Sequence, residues 1–105
     1  MTRNHFVYRL IPPRPTFAGD MTEAEQAIMG EHAVYWTDLF EQGRAVLFGV
    51  VMDHAGAWGL AVVEAEGEGE VRAIASDDPA VKSRLCTFEV GVMPQATVRP
   101  RQAAA

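Results

Sequence analysis

The strongest constraint on this chain comes from two strand-like runs that are apolar on both sides. Successive side chains of a strand point to opposite faces, so a sheet covered on one face alternates apolar with polar residues. Between Ala45 and Met52, Val46, Leu47, Phe48, Val50 and Val51 are apolar whatever their parity, and so are Leu60, Ala61, Val62 and Val63. Both faces of these strands need a cover. A chain of 105 residues is the size of one domain on the usual scale of about 100–200 residues. It can bury roughly two thirds of its unfolded surface, but it has too few helices to cover a sheet twice. The second cover is expected from another copy of the chain, giving a homodimer with sheets packed face to face through a hydrophobic interface.

The remaining elements follow from periodicity and punctuation. Phe6, Tyr8 and Leu10 alternate with Val7, Arg9 and Ile11, the period-two pattern of a first strand, which Pro12, Pro13 and Pro15 stop. The segment from Pro12 to Met21 reads as an ordered surface loop. Thr22 and Glu25 have capping-box spacing at the start of a helix, with Asp20 and Glu23 as an alternative start, and Gly43 is placed to close it. Ile28, Trp36, Leu39 and Phe40 form the expected apolar stripe, with His32 in its middle. Asp53 to Ala57 connects the two apolar strands as a hairpin, and Glu64 to Glu70 reads as an acidic, solvated turn. Val71, Ile74 and Ala75 belong to a second helix. Asp78-Pro79 then reads as the cap and first residue of a short helical turn through Lys82. Cys86, Phe88, Val90 and Val92 alternate in a last strand that Pro94 ends. The order is strand, helix, strand, strand, helix, strand: an α+β, ferredoxin-like βαββαβ fold with an antiparallel sheet and the helices on one face. One domain is expected over 1–98, with a flexible tail over 99–105.

Composition removes several function classes. Nine Lys and Arg against fourteen Asp and Glu give a formal net charge of −5, with no basic cluster to attract nucleic acid. Cys86 is the only cysteine, so neither an intrachain disulfide nor a multi-thiolate metal site can form. No apolar run reaches the ~20 residues that span a bilayer, and no signal-peptide pattern opens the chain. No membrane association and a cytoplasmic setting are the expectations. There is no phosphate loop, dinucleotide fingerprint or Gly-x-Ser-x-Gly elbow. No cofactor and no metal are expected, since His32, His54 and the carboxylates lack ligand spacing.

His32 is the candidate for chemistry. An imidazole on an apolar stripe is either a core-edge residue satisfied by one hydrogen bond or a group poised for proton transfer near neutral pH. Asp53, Asp77 and Asp78 are its possible orienting partners. Asp78 has a structural use as a helix cap, and its two oxygens would let it cap and accept from an imidazole at once. Arg14 and Phe17 lie in the proline-rich loop, which could overhang a pocket. Trp36 and Asp53 join them as candidate substrate-binding residues, whereas His5, Glu31 and His54 read as surface or edge positions. Trp58 and Tyr8 could line a cavity, yet large aromatics more often belong to a core.

The stretch from Met21 to Gly49, followed by Asp53, Gly56 and Asp78-Pro79, resembles the YCII-related (YciI-like) family. Glu31-His32, Tyr35, Trp36, Leu39 and Gly43 match its helix signature, and the likeness runs from about His5 to Pro94. Where the family has a Gly-Pro turn, this chain has Gly49-Val50. The resemblance implies a dimeric α+β barrel and a pocket holding a His–Asp dyad, carried over here to His32 and Asp78. Related proteins of the barrel group act on small cyclic or aromatic metabolites. The expected function is therefore a small cofactor-independent lyase or isomerase with His32 as general acid or base. The alternative is a non-catalytic small-molecule-binding or accessory dimer with a structural His–Asp contact.

Overall fold

The computed structural model describes residues 4–100; the tail expected over 99–105 thus falls for the most part outside the described residues. The chain runs β1 (Asn4–Ile11), α1 (Phe17–Asp20), α2 (Glu23–Glu41), β2 (Ala45–Asp53), β3 (Gly56–Ala65), α3 (Glu68–Asp77), α4 (Pro79–Lys82) and β4 (Thr87–Met93). The four strands form one antiparallel sheet in the order β2-β3-β1-β4. The expected α+β, ferredoxin-like arrangement is present.

Strand register separates the two faces. Paired residues on antiparallel strands share a face, and Phe6 pairs Val63 and Val92 while Tyr8 pairs Ala61 and Val90. Phe6, Tyr8, Leu10, Ala61, Val63 and Ala65 are all buried and face the helices, where Trp36, Leu39, Val71, Ile74 and Ala75 meet them. The opposite face carries Val7, Ile11, Leu47, Val51, Leu60 and Val62. Val7, Val62 and Leu47 form one apolar row across it, and Leu47 remains 47% exposed. Part of the parity-free pattern of β2 has a local cause: the register slips between Ala45 and Leu47, so one extra residue at Val46 bulges out and reverses the faces downstream. Ala45 and Phe48 therefore both lie on the helix side despite their spacing.

Local chemistry explains the ends of the long helix. Thr22 accepts from the Glu25 amide while the Glu25 carboxylate accepts from the Thr22 amide, a complete capping box. Asp20 is not the cap; it accepts from Arg14 and Thr16. Gly43 takes φ 78° after the last turn, a left-handed conformation that costs glycine little.

Three expectations are corrected. The loop from Pro12 to Met21 contains a one-turn helix, α1, whose Phe17 is buried against the fold. The inward stripe of α2 is turned from the expected one: Met29, His32, Tyr35, Trp36 and Leu39 face inward, while Phe40 is 45% exposed and meets Phe48 edge-on at 6.4 Å. The hairpin is also tighter than Asp53 to Ala57, because pairing continues to Asp53 and Gly56 and leaves only His54 and Ala55 in the turn.

Candidate active site

The site is built around a carboxylate with no access to water. Asp78 is 0% exposed and stands at the joint between α3 and α4. Proline at the first position of α4 suits a helix start, and the preceding Asp78 caps it, its Oδ1 accepting from the Ala80 amide at 2.9 Å. Three side chains from two other elements converge on the same carboxylate. Tyr8 Oη of β1 donates to Oδ2 at 2.8 Å, Trp36 Nε1 of α2 donates to Oδ2 at 2.8 Å, and His32 Nδ1 of α2 lies 2.9 Å from both oxygens. Tyr8 and Trp36 stack with ring centroids 4.9 Å apart, so packing fixes the donors as firmly as the hydrogen bonds do.

Electrostatics follow from this arrangement. Burial raises the Asp78 pKa, but the hydrogen bonds from His32 and Trp36, the nearby imidazole and the Ala80 amide outweigh it and hold the carboxyl below its usual value. Asp78 is thus an ionised, acceptor-only group, and the nitrogen facing it must carry the proton. Nδ1 of His32 is therefore N–H, and the tautomer is set by the carboxylate. Burial, followed by the charge and hydrogen bond of Asp78, moves the Tyr8 phenol far above its ordinary value. Tyr8 is a fixed donor with no ionisation of its own to offer.

Beside the dyad lies a cavity of about 310 Å³. Phe17, Ala18 and Met21 from the α1 region, Met29 and His32 from α2, Phe48 and Val50 from β2 and Cys86 before β4 contribute to its wall. The space exists because small residues, Ala57 and Gly59, stand on the helix side of β3 at this end of the sheet. Gly59 also permits a close approach, since a Cβ there would sit 3.1 Å from Leu10 Cβ. Gly56, at φ 110°, lets the hairpin press on the loop before α1: a Cβ there would lie 2.6 Å from the Pro15 carbonyl oxygen. That contact fixes the loop that walls the cavity.

The structure brings together only some of the candidate residues. His32 and Phe17 line the cavity. Trp36 stands behind the imidazole, buried, with its indole N–H given to Asp78 and its surface on a crevice of about 20 Å³ shared with His32 and Tyr8. Arg14 is not in the wall. Its guanidinium binds Glu25 through two nitrogens at 2.9 and 2.7 Å and Asp20 at 2.8 Å, and stacks 5.2 Å over Phe17. Asp53 lies on the opposite sheet face, accepting from Trp58 Nε1 at 2.9 Å and from the Ala55 amide. Those bonds, Trp58 first, lower its pKa; it is the partner of Trp58, and Asp78 is the partner of His32. Asp77 is exposed.

Tyr8, Met21, Met29, Phe48 and Cys86 were not among the expected site residues. Tyr8 carried a usable signal: a phenol on the buried side of a strand must find a partner for its O–H. Nothing local in the sequence marked the two methionines, which reach the cavity only through the path of the loop and the turn of the helix. Among the described residues no three His, Cys, Asp or Glu side chains gather as a metal-ligand set, and no helix is long and apolar enough to cross a membrane.

A search of curated proteins finds no match. The family model for the YCII-related domain matches residues 6–95, from the first buried residue of β1 to just beyond β4 and including both His32 and Asp78. With most of its length covered by that one model, the chain belongs to the family of YCII-related domains.

Proposed function

We propose that the protein is a cofactor-independent lyase or isomerase in which His32 transfers a proton to or from a small cyclic or aromatic molecule held in the cavity. The observation that carries this reading is the pairing of His32 Nδ1 with a fully buried, ionised Asp78 while the imidazole forms part of the cavity wall. Asp78 holds the proton on Nδ1, which leaves Nε2 as the basic nitrogen for the substrate. A proton taken by Nε2 can be returned from the same nitrogen, so one imidazole serves as base and then as acid. Tyr8, Trp36 and the Ala80 amide keep the carboxylate still during the exchange. A general acid–base group of this kind typically contributes about 10²–10⁴ in rate.

The test is turnover of small lactones and hydroxylated or halogenated rings by the wild type and by His32→Gln. A loss of at least about 100-fold in kcat with an unchanged fold by circular dichroism is expected. Full activity in the variant would refute the role.

A second reading is favoured by the number of donors on Asp78. Four groups from β1, α2 and α4 meet there, which is what a purely structural tie between helix and sheet would need. In that case the protein is a non-catalytic binding or accessory module. His32→Gln would then lower the melting temperature while leaving ligand binding intact, and no substrate would turn over.

The assembly proposed with either reading is a homodimer joined through the outer sheet faces. The apolar rows through Val7, Val62 and Leu47 and through Val51 support it. Burying them against a copy would take these apolar rows out of water.

A further inference from the structure

We infer that the cavity beside His32 takes an uncharged, ring-sized apolar molecule presenting one polar atom to the imidazole, and that it turns carboxylated ligands away. This rests on the cavity being a ligand site, as proposed above, and adds the charge and character of what enters it.

The volume, about 310 Å³, is at the small end of the roughly 300–1,000 Å³ of ordinary ligand sites, enough for one or two rings. Phe17, Met21, Met29, Phe48 and Val50 make the wall apolar, and the methionines let it fit rings of different outline. Among the described residues, the titratable side chains in the wall are His32 and Cys86. No lysine or arginine among the described residues lines it, although small carboxylate substrates are ordinarily held by one. Two arginines stack on wall residues without entering the wall: Arg9 lies 4.4 Å over Trp58, its strand position facing the opposite side of the sheet, and Arg14 lies 5.2 Å over Phe17 with its charge answered by both oxygens of Glu25 and by Asp20.

The surrounding charges point the same way. Behind His32 stands the ionised Asp78, which cancels any positive charge the imidazole acquires. Burial first, then the charges of Asp78 and Glu25, push the Cys86 thiol up to about 11. Cys86 lies in the wall and therefore feels what a bound anion would feel, and both contributions there oppose negative charge. An unpaired carboxylate taken out of water into such a place loses far more than a hydroxyl or carbonyl of equal size. A neutral ring with one hydroxyl or carbonyl avoids this loss and still gives His32 Nε2 a hydrogen-bonding partner.

Matched pairs test this with the full chain at pH 7: 2-naphthol against 2-naphthoate, phenol against benzoate, and 2-cyclohexenone against cyclohexene-1-carboxylate. Binding is read by NMR from the Met21 and Met29 methyl signals and the His32 ring protons. The neutral member of each pair is expected to shift these signals and to bind at least tenfold more tightly than its carboxylate. Equal or tighter binding of the carboxylates overturns the inference, and so does the failure of every neutral member to bind. Met21→Lys supplies the missing cation at the cavity wall and should bring 2-naphthoate in; an unchanged preference in that variant also overturns the charge argument. Because the readout is binding, it is independent of turnover. Neutral ligands that bind without reacting leave this inference standing and defeat the catalytic role of His32, while carboxylates that bind and react through His32 do the reverse.

Discussion

At the scale of single residues, Asp78 determines the behaviour of the site. A carboxylate buried completely and accepting from Tyr8, Trp36, His32 and the Ala80 amide is stabilising only while ionised. Its folded-state pKa lies below the ordinary value of 3.8, so its contribution is fully present above that pH and is lost as pH falls through the lower, folded-state value. Asp78→Asn places an amide donor among donors and is expected to cost about 3–5 kcal/mol near neutral pH, as removal of one partner of a buried pair does. Urea unfolding as a function of pH measures this: the gap between wild type and variant should close in acid, below about pH 4. His32 and Asp78 were both visible in the sequence, the first as a polar interruption of an apolar stripe and the second as the residue before Pro79. The contact between them was not, because it spans 46 positions in sequence and depends on how α4 is set against α2. The resemblance to a family supplied that pairing; periodicity alone left Asp53, Asp77 and Asp78 equal.

Elements were legible where a single local rule governs them. The capping box at Thr22, the closing Gly43, and the Asp78-Pro79 start each rest on hydrogen bonds or torsions within a few residues, and all three are found where the spacing places them. The errors arose where longer-range packing decides. The inward face of α2 is selected by the sheet beneath it, and the bulge at Val46 is required by pairing with β3 rather than by anything β2 contains. The one-turn helix α1 was hidden for a similar reason, since four residues fold into a turn only because Phe17 has a place to bury and Arg14 ties the segment to α2. The loop is held from the other side by Gly56. Gly56→Ala forces a side chain into a positive-φ position and against the Pro15 carbonyl. We expect it to cost about 1–3 kcal/mol and to loosen the α1 wall, seen as faster amide exchange from Phe17 to Asp20 than in the wild type.

For the whole molecule, the decisive fact is that the helices cover one face of the sheet and leave the other bare. Val7, Leu60 and Val62 on that face are only partly covered by their own chain, and Leu47 is largely uncovered. Polar groups interrupt this face at both ends, with Arg9 stacked 4.4 Å over Trp58 beside Glu89 at one and His5 Nε2 lying 3.3 Å from Glu64 Oε1 at the other, and the middle stays apolar. Sedimentation at micromolar concentration should therefore report a dimer. Val62→Lys, at the middle of the apolar row, should convert it to a monomer without changing the helix content. A wild-type monomer under those conditions would contradict the packing argument. The two-faced apolar pattern that raised this expectation was plain in the sequence, although the bulge accounts for part of it. Which surface would meet which could not be read there, because that requires knowing the strand order.

The sharing of Asp78 between fold and proposed chemistry has a practical consequence for anyone seeking a hardier form of this protein. Screens for thermal resistance tend to reward the replacement of a sequestered charge, together with its satellites, by tightly fitting hydrocarbon. Here such a winner would have discarded the one group that tells the imidazole which nitrogen to keep bare. Selection for heat tolerance and selection for turnover should diverge at Tyr8, Trp36 and Asp78, and variants improved in both should carry their changes elsewhere.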